Sequence, residues 1–252
     1  MTDPNSLSNS ESNMFQEAPI EPLLPSCQPF TFQIPGVRKY TKAGISKDCQ
    51  YVYFYDPERV LVHRLSVPRG PAVASITQLS SEVFNSGQRF KGTMISRVAL
   101  SGQYMALSTS EKLEVFKIAI ANPAHNTIST IFRRSNDGWQ TTGLAILEQS
   151  SSLSVVIGQR KLGERSYEGR VLLFTVKLSQ PRAQPAPVYH LYNVPRRDFP
   201  KNVDISADGT SILCRTQLSN TIIIWKISGG SDQPAFQLTR NCYTPVSVLV
   251  SI

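Results

Sequence analysis

The side chains best equipped for chemistry in this sequence are cationic. Two segments stand out: Gln159-Arg160-Lys161-Leu162-Gly163-Glu164-Arg165-Ser166-Tyr167-Glu168-Gly169-Arg170 and Val194-Pro195-Arg196-Arg197-Asp198-Phe199-Pro200-Lys201, with the pair Arg133-Arg134 upstream. A guanidinium grips a carboxylate or phosphate through two parallel hydrogen bonds, and interleaved aromatic rings add a stacking surface. The spacing predicts a partner-binding surface made of Arg133, Arg134, Arg160, Lys161, Arg165, Tyr167, Arg196, Arg197, Phe199 and Lys201. An acidic or phosphorylated peptide suits that chemistry. Nucleic acid is the alternative, because phosphate attraction needs no base recognition.

Other chemistries find few residues. His63, His125 and His190 lie far apart with no metal-ligand spacing, and His63 reads as a packed, hydrogen-bonded histidine at a strand end. The cysteines Cys27, Cys49, Cys214 and Cys242 include no CxxC pair and outline no secreted disulfide framework. Cys49 and Cys214 read as core or turn-flank thiols, and Cys242 as the exposed one. A Gly-x-Ser-x-Gly elbow is missing, and Gly229-Gly230 has no Lys-Ser or Lys-Thr behind it to cradle a phosphate. Asp204 and Asp208, in Asp204-x-Ser206-x-Asp208-Gly209, read as turn aspartates, since the row lacks the terminal Glu of a calcium loop. No catalytic residue, metal or cofactor is expected.

Charge divides the chain of 252 residues, whose formal net charge is +8. Residues 1–26 hold Asp3, Glu11, Glu17 and Glu21 and no base, leaving all 26 basic and 14 acidic residues for the remainder. Such a remainder steers anions toward itself. Residues 1–28, rich in Ser, Asn, Pro and Glu, read as a disordered tail, and residues 29–252 as the folded domain. The start lacks the basic and apolar regions of a signal peptide, and clusters such as Ile222 to Trp225 are strand-sized, short of the roughly 20 residues of a membrane helix. A cytoplasmic protein is expected, with the nucleus left open and no membrane.

The elements that must carry these side chains are strands. Phe30 to Ile34, Tyr51 to Tyr55, Val60 to Leu65, Tyr104 to Leu107, Leu113 to Ile118, Leu153 to Ile157, Val171 to Val176, Ser211 to Cys214 and Ile222 to Ile227 alternate or run apolar, with turn residues between. Helical spacing shows weakly, at Val73 to Phe84 and Lys112 to Ala121. Four strand ends superpose: Val62-His63-Arg64-Leu65, Val115-Phe116-Lys117-Ile118, Leu173-Phe174-Thr175-Val176 and Ile224-Trp225-Lys226-Ile227. His63, Phe116, Phe174 and Trp225 share one slot, at intervals of 53, 58 and 51 residues. Further segments at Thr127 to Phe132, Pro187 to Tyr192 and Pro234 to Leu238 give four strands per unit. That arithmetic predicts an all-β propeller of four-stranded blades rather than a two-sheet sandwich. The units run roughly 41–90, 91–135, 138–192 and 199–240, with a partial strand at 244–252. A large slot residue would fill the wedge between blades. In such a ring the basic connections fall on one rim.

Ser206-Ala207-Asp208-Gly209, then Ser211-Ile212-Leu213 and Thr221-Ile222-Ile223-Ile224-Trp225-Lys226, resemble the turn-to-tryptophan stretch of a divergent WD-repeat protein. Glu168-Gly169-Arg170-Val171-Leu172-Leu173-Phe174 is similar to the same end. The resemblance spans about residues 41 to 240. Trp225 is followed by Lys226 rather than Asp, and the family's Gly-His pair is missing, so aromatic packing must stand in for its His–Asp network. The resemblance implies a protein-interaction scaffold without cofactor or chemistry of its own. An enzyme with a polar site at the ring axis is the alternative from another class. Four full units with an extra strand at either end leave a fragment, a four-bladed ring or an assembly closed by a partner, with self-association through unpaired terminal strands, all open.

Overall fold

The computed structural model describes residues 42–66, 78–119, 128–162, 167–179, 187–191, 198–227 and 236–238. They form sixteen strands in four antiparallel sheets, each a four-strand meander of consecutive strands. The first sheet comprises β1 (Lys42–Ile45), β2 (Tyr51–Tyr55), β3 (Val60–Ser66) and β4 (Gln78–Asn85). The second comprises β5 (Arg97–Ser101), β6 (Tyr104–Ser108), β7 (Lys112–Ile118) and β8 (Ile128–Ser135). In the third are β9 (Gln140–Glu148), β10 (Ser152–Leu162), β11 (Tyr167–Lys177) and β12 (Pro187–Leu191). The fourth holds β13 (Pro200–Ile205), β14 (Ser211–Thr216), β15 (Ile222–Lys226) and β16 (Phe236–Leu238). These are the blades of a β-propeller, blades 1 to 4 in chain order.

Three apolar clusters lie between successive blades. Tyr51, Tyr53, Tyr55, Val60 and Val62 of blade 1 meet Leu100, Met105 and Phe116 of blade 2. Ala106, Val115 and Phe132 of blade 2 meet Ile157, Leu172 and Phe174 of blade 3. Val156, Val171 and Leu173 of blade 3 meet Ile212, Cys214 and Trp225 of blade 4. Alternation dictates this arrangement, because successive strand residues face opposite neighbours and both faces of an inner blade are covered. The slot residues Phe116, Phe174 and Trp225 therefore occupy three successive wedges, each against the blade before its own. Burying a ring of that size stabilises by roughly 3 kcal/mol.

His63 completes the pattern. It pairs with Val52 and so lies on the face of blade 1 turned away from Tyr51, Tyr53 and blade 2. Its ring stands edge-on to Phe54 at 6.1 Å, as a packed histidine should, but its Nε2 is buried without a hydrogen-bond partner. The expected hydrogen bond is absent on that nitrogen. Among the described residues no apolar cluster joins blade 4 to blade 1. An ion pair of 2.9 Å between Lys47 and Asp204 joins them instead.

Several expectations need correction. The basic stretch 159–170, expected as a connection between strands, is strand over its described residues: β10 runs to Leu162 and β11 starts at Tyr167, with Arg160 opposite Gly169 and Lys161 opposite Glu168. The weak helical spacing of Val73 to Phe84 gives way to strand β4 from Gln78 onward, whereas Lys112–Ile118 is a strand, as the apolar run Leu113 to Ile118 predicts. Asp208 does hold a turn, accepting from Ser206 Oγ, Thr210 N and Thr210 Oγ1 beside Gly209 at φ +72°. Asp204 lies within β13 instead, where its carboxylate accepts from Ile205 N and pairs with Lys47 of blade 1. The tail 1–28, the strand Phe30 to Ile34, the terminal strand at 244–252, Cys27, Cys242 and His125 lie outside the described residues.

Candidate functional site: the basic rim and the channel mouth

Inner strands of successive blades are tied to one another. Lys47 N donates to Leu100 O between blades 1 and 2, and Arg97 Nε donates to Thr142 O at 2.8 Å between blades 2 and 3. Blades 3 and 4 approach so closely that a Cβ on Gly143 would come within 2.9 Å of Val203 N. A meander places the start of each first and third strand, and the end of each second and fourth, on the same rim. Arg133 and Arg134 end β8, Arg160 and Lys161 end β10, and Phe199 and Lys201 flank the start of β13. All of these share that rim. Arg165, Arg196 and Arg197 lie outside the described residues, and Tyr167 is described only as the first residue of β11.

The rim cations have distinct surroundings. Arg133 Nε and Nη2 both reach Glu114 Oε1 at 2.6 Å, and Lys112 Nζ reaches Glu114 Oε2 at 3.1 Å. Arg134 sits over the Phe174 ring, 5.0 Å from its centroid, and Arg160 over the Phe199 ring at the same distance. Arg160 Nε also donates to Gln140 Oε1 at 2.6 Å. Phe199 is buried at 7% exposure, so it supports Arg160 from below rather than meeting a partner itself.

Trp139, which sequence reasoning passed over, carries two cations. The Arg170 guanidinium lies 3.9 Å from its centroid and Lys161 Nζ 5.9 Å. The sequence signal was the Asp137-Gly138 turn dipeptide just before it; both residues have positive φ in the turn that sets Trp139 at the start of blade 3. Beneath it runs a buried polar chain. Arg170 Nε donates to Gln159 Oε1, Gln159 Nε2 to Asn136 Oδ1, Asn136 Nδ2 to Ser108 Oγ, and Ser108 Oγ to Thr141 Oγ1. This chain supplements the aromatic packing between blades 2 and 3, and it satisfies groups whose burial would otherwise be costly.

Where the rim meets the axis, a cavity of about 510 Å³ opens among residues of all four blades. Its charged lining is Lys42, Arg97, Arg160 and Lys201, with Ser96, Gln140, Thr141, Thr142, Phe199 and Gln217 between them and no carboxylate. Partial burial, and then the Arg97 charge, hold the Lys42 ammonium below the usual lysine range. Lys42 and Arg97 were also missed; each lies at the start of an inner strand, the position Lys201 nearly holds in blade 4.

The opposite end of the inner strands has another character. A cavity of about 300 Å³ there is lined by Lys47, Asp48, Ser101, Gly102, Leu147, Glu148 and Ala207. Burial, and then the Asp48 charge, push the Glu148 carboxyl up, against the Gln103 amide and Lys117, which pull it down. Deeper in blade 4, burial, and then the Asp198 charge, push the thiol of the fully buried Cys214 up to about 12, which favours its neutral form. No group of metal-ligating side chains occurs among the described residues.

No protein-family model and no curated protein sequence matches the chain. Solved structures do match in shape. The complex of the fission yeast SREBP–SCAP binding domains superposes with a TM-score of 0.52 at 12% identity, covering 96% of this chain and 58% of that one. The WD40 domain of SCAP from fission yeast superposes with a TM-score of 0.50 at 13% identity, covering 79% of this chain and 42% of that one. The chain thus spans less than two thirds of either structure's length. At such identities the likeness establishes the architecture, and the architecture is a β-propeller.

Proposed function

We propose that this chain is a protein-interaction scaffold whose basic rim takes an acidic segment of a partner protein. The observation that carries the reading is the mounting of Arg160 on Phe199, with Lys161 and Arg170 on Trp139 beside it. A cation held over a ring loses less freedom on binding than one that swings in solvent. In this reading the propeller has no chemistry of its own, works in the cytoplasm and is a divergent relative of WD-repeat scaffolds. A partner complex among the matching propellers is a precedent for the fold, not for the partner.

Fluorescence anisotropy with a labelled Glu-rich peptide, a neutral peptide and single-stranded DNA of varied base composition tests it. The Glu-rich peptide is expected to bind, more weakly as salt rises, and Arg160→Ala with Arg134→Ala to weaken it at least about five-fold. Unchanged binding of the double variant at low salt overturns the reading. DNA outcompeting the peptide regardless of base composition assigns the rim to nucleic acid.

A further inference from the structure

The two ends of the inner strands differ in charge, and the difference has a chemical direction. At one mouth Asp48 and Glu148 accompany a single lysine; at the other four cations converge with no counter-charge in the lining. Like charges gathered around one cavity repel, so an uncompensated set is stabilised by whatever anion enters. None of Lys42, Arg97, Arg160 and Lys201 is ion-paired to a carboxylate among the described residues.

Three acceptors of the lining are engaged by its own donors: Thr142 O takes Arg97 Nε, Ser96 O takes Arg97 Nη1 and Gln140 Oε1 takes Arg160 Nε. Thr141 Oγ1 accepts from Ser108, which leaves its own proton to be donated elsewhere. Beside these engaged acceptors the lining carries two ammonium and two guanidinium groups, an excess of N–H donors. A carboxylate has two oxygens and one charge; a phosphate monoester has three terminal oxygens and nearly two charges. The volume of about 510 Å³ accommodates such a group with a chain attached, rather than a bare ion alone.

We infer that the mouth framed by Lys42, Arg97, Arg160 and Lys201 is a receptor site for a phosphate monoester dianion. The inference deepens the reading of the rim as a partner surface, because a phosphorylated side chain on the partner would deliver the group. Free inorganic phosphate shares the chemistry and is distinguished below.

Titration calorimetry at constant ionic strength, on the full 252-residue chain, uses three probes: inorganic phosphate, a Gly/Ser/Glu peptide, and that peptide carrying one phosphoserine. The phosphopeptide is expected to bind about ten-fold more tightly than its unphosphorylated form. Lys42→Gln and Lys201→Gln, both at exposed side chains, are each expected to weaken it about five-fold without moving the melting temperature. Lys226→Gln, at the opposite rim, is the control and leaves binding unchanged. Equal affinity for the two peptides overturns the phosphate site while leaving the acidic-partner reading in place. Saturable binding of inorganic phosphate that the Lys42 variant loses, with neither peptide bound, upholds the site and removes the protein partner. Binding of no probe, or binding indifferent to both lysine variants, overturns the inference.

Discussion

The Arg160 guanidinium lies 5.0 Å from the centroid of the buried Phe199 ring, joining the second strand of blade 3 to the start of blade 4. The contact gives the two residues separable roles. Arg160→Ala removes a cation–ring interaction of about 0.5–1 kcal/mol at an accessible site, so stability should fall little while affinity for an acidic peptide falls several-fold. Phe199→Ala empties a packed position and should cost about 3 kcal/mol or more in denaturant unfolding. Equal stability losses in the two variants would contradict the assignment.

Arg133 is expected to serve the fold more than the partner. Glu114 is buried, 6% of its side chain being exposed, and Arg133 covers it at 2.6 Å together with Lys112. Removing Arg133 leaves Glu114 with one cation, whereas removing Glu114 releases both. Arg133→Ala should lower stability by about 1 kcal/mol and leave peptide affinity within a factor of two. A large affinity loss with unchanged stability would reverse that assignment.

Much of this was legible in the sequence, and the reasons for success and failure are physical. The slot residues Phe116, Phe174 and Trp225 were readable because a wedge between blades demands a large apolar side chain at a fixed strand position. The hairpin through Arg160 and Arg170 was not, because strands at a rim alternate polar residues outward and mimic a loop. Gln159, at the head of the basic stretch, is buried at 1% exposure, held by Arg170 and Asn136, partners that no local pattern reveals. Lys42 and Arg97 escaped because each is one cation in a separate repeat. Only the common axis brings them together.

Blade 3 is thinned by glycine where blade 4 leans on it. A Cβ on Gly169 would lie 2.6 Å from Phe199 Cα and 2.7 Å from Asp198 O, both backbone atoms that have little room to retreat. Gly169→Ala should therefore destabilise by about 1–3 kcal/mol, visible as a fall of several degrees in the melting temperature. Gly87→Ala, with open space around its Cβ but φ +55°, tests backbone strain alone. A milder effect at Gly169 than at Gly87 would contradict the close approach.

The Glu148 carboxyl makes a pH prediction with a definite sign. Its folded pKa is raised, chiefly by burial and then by Asp48, so the native state holds the proton more tightly than the unfolded chain does. Its stabilising contribution is present below the unfolded carboxyl pKa and is lost as pH rises through the folded value. Glu148→Gln should raise the melting temperature at pH 7, and the gap should close as pH falls toward 4. A gap that widens on acidification would show that Glu148 is held as a favourable carboxylate.

Each blade is built from one uninterrupted stretch of chain, the inner strands beginning at Lys42, Arg97, Gln140 and Pro200. Emerging from a ribosome at about 5–20 residues per second, the polypeptide would complete a sheet every few seconds, long before the last is made. Because Phe116, Phe174 and Trp225 all point backward, each nascent sheet meets a finished surface that templates its docking. The described blades are thus suited to docking in the order of their translation, blades 2, 3 and 4 each keyed into its elder by a large aromatic side chain.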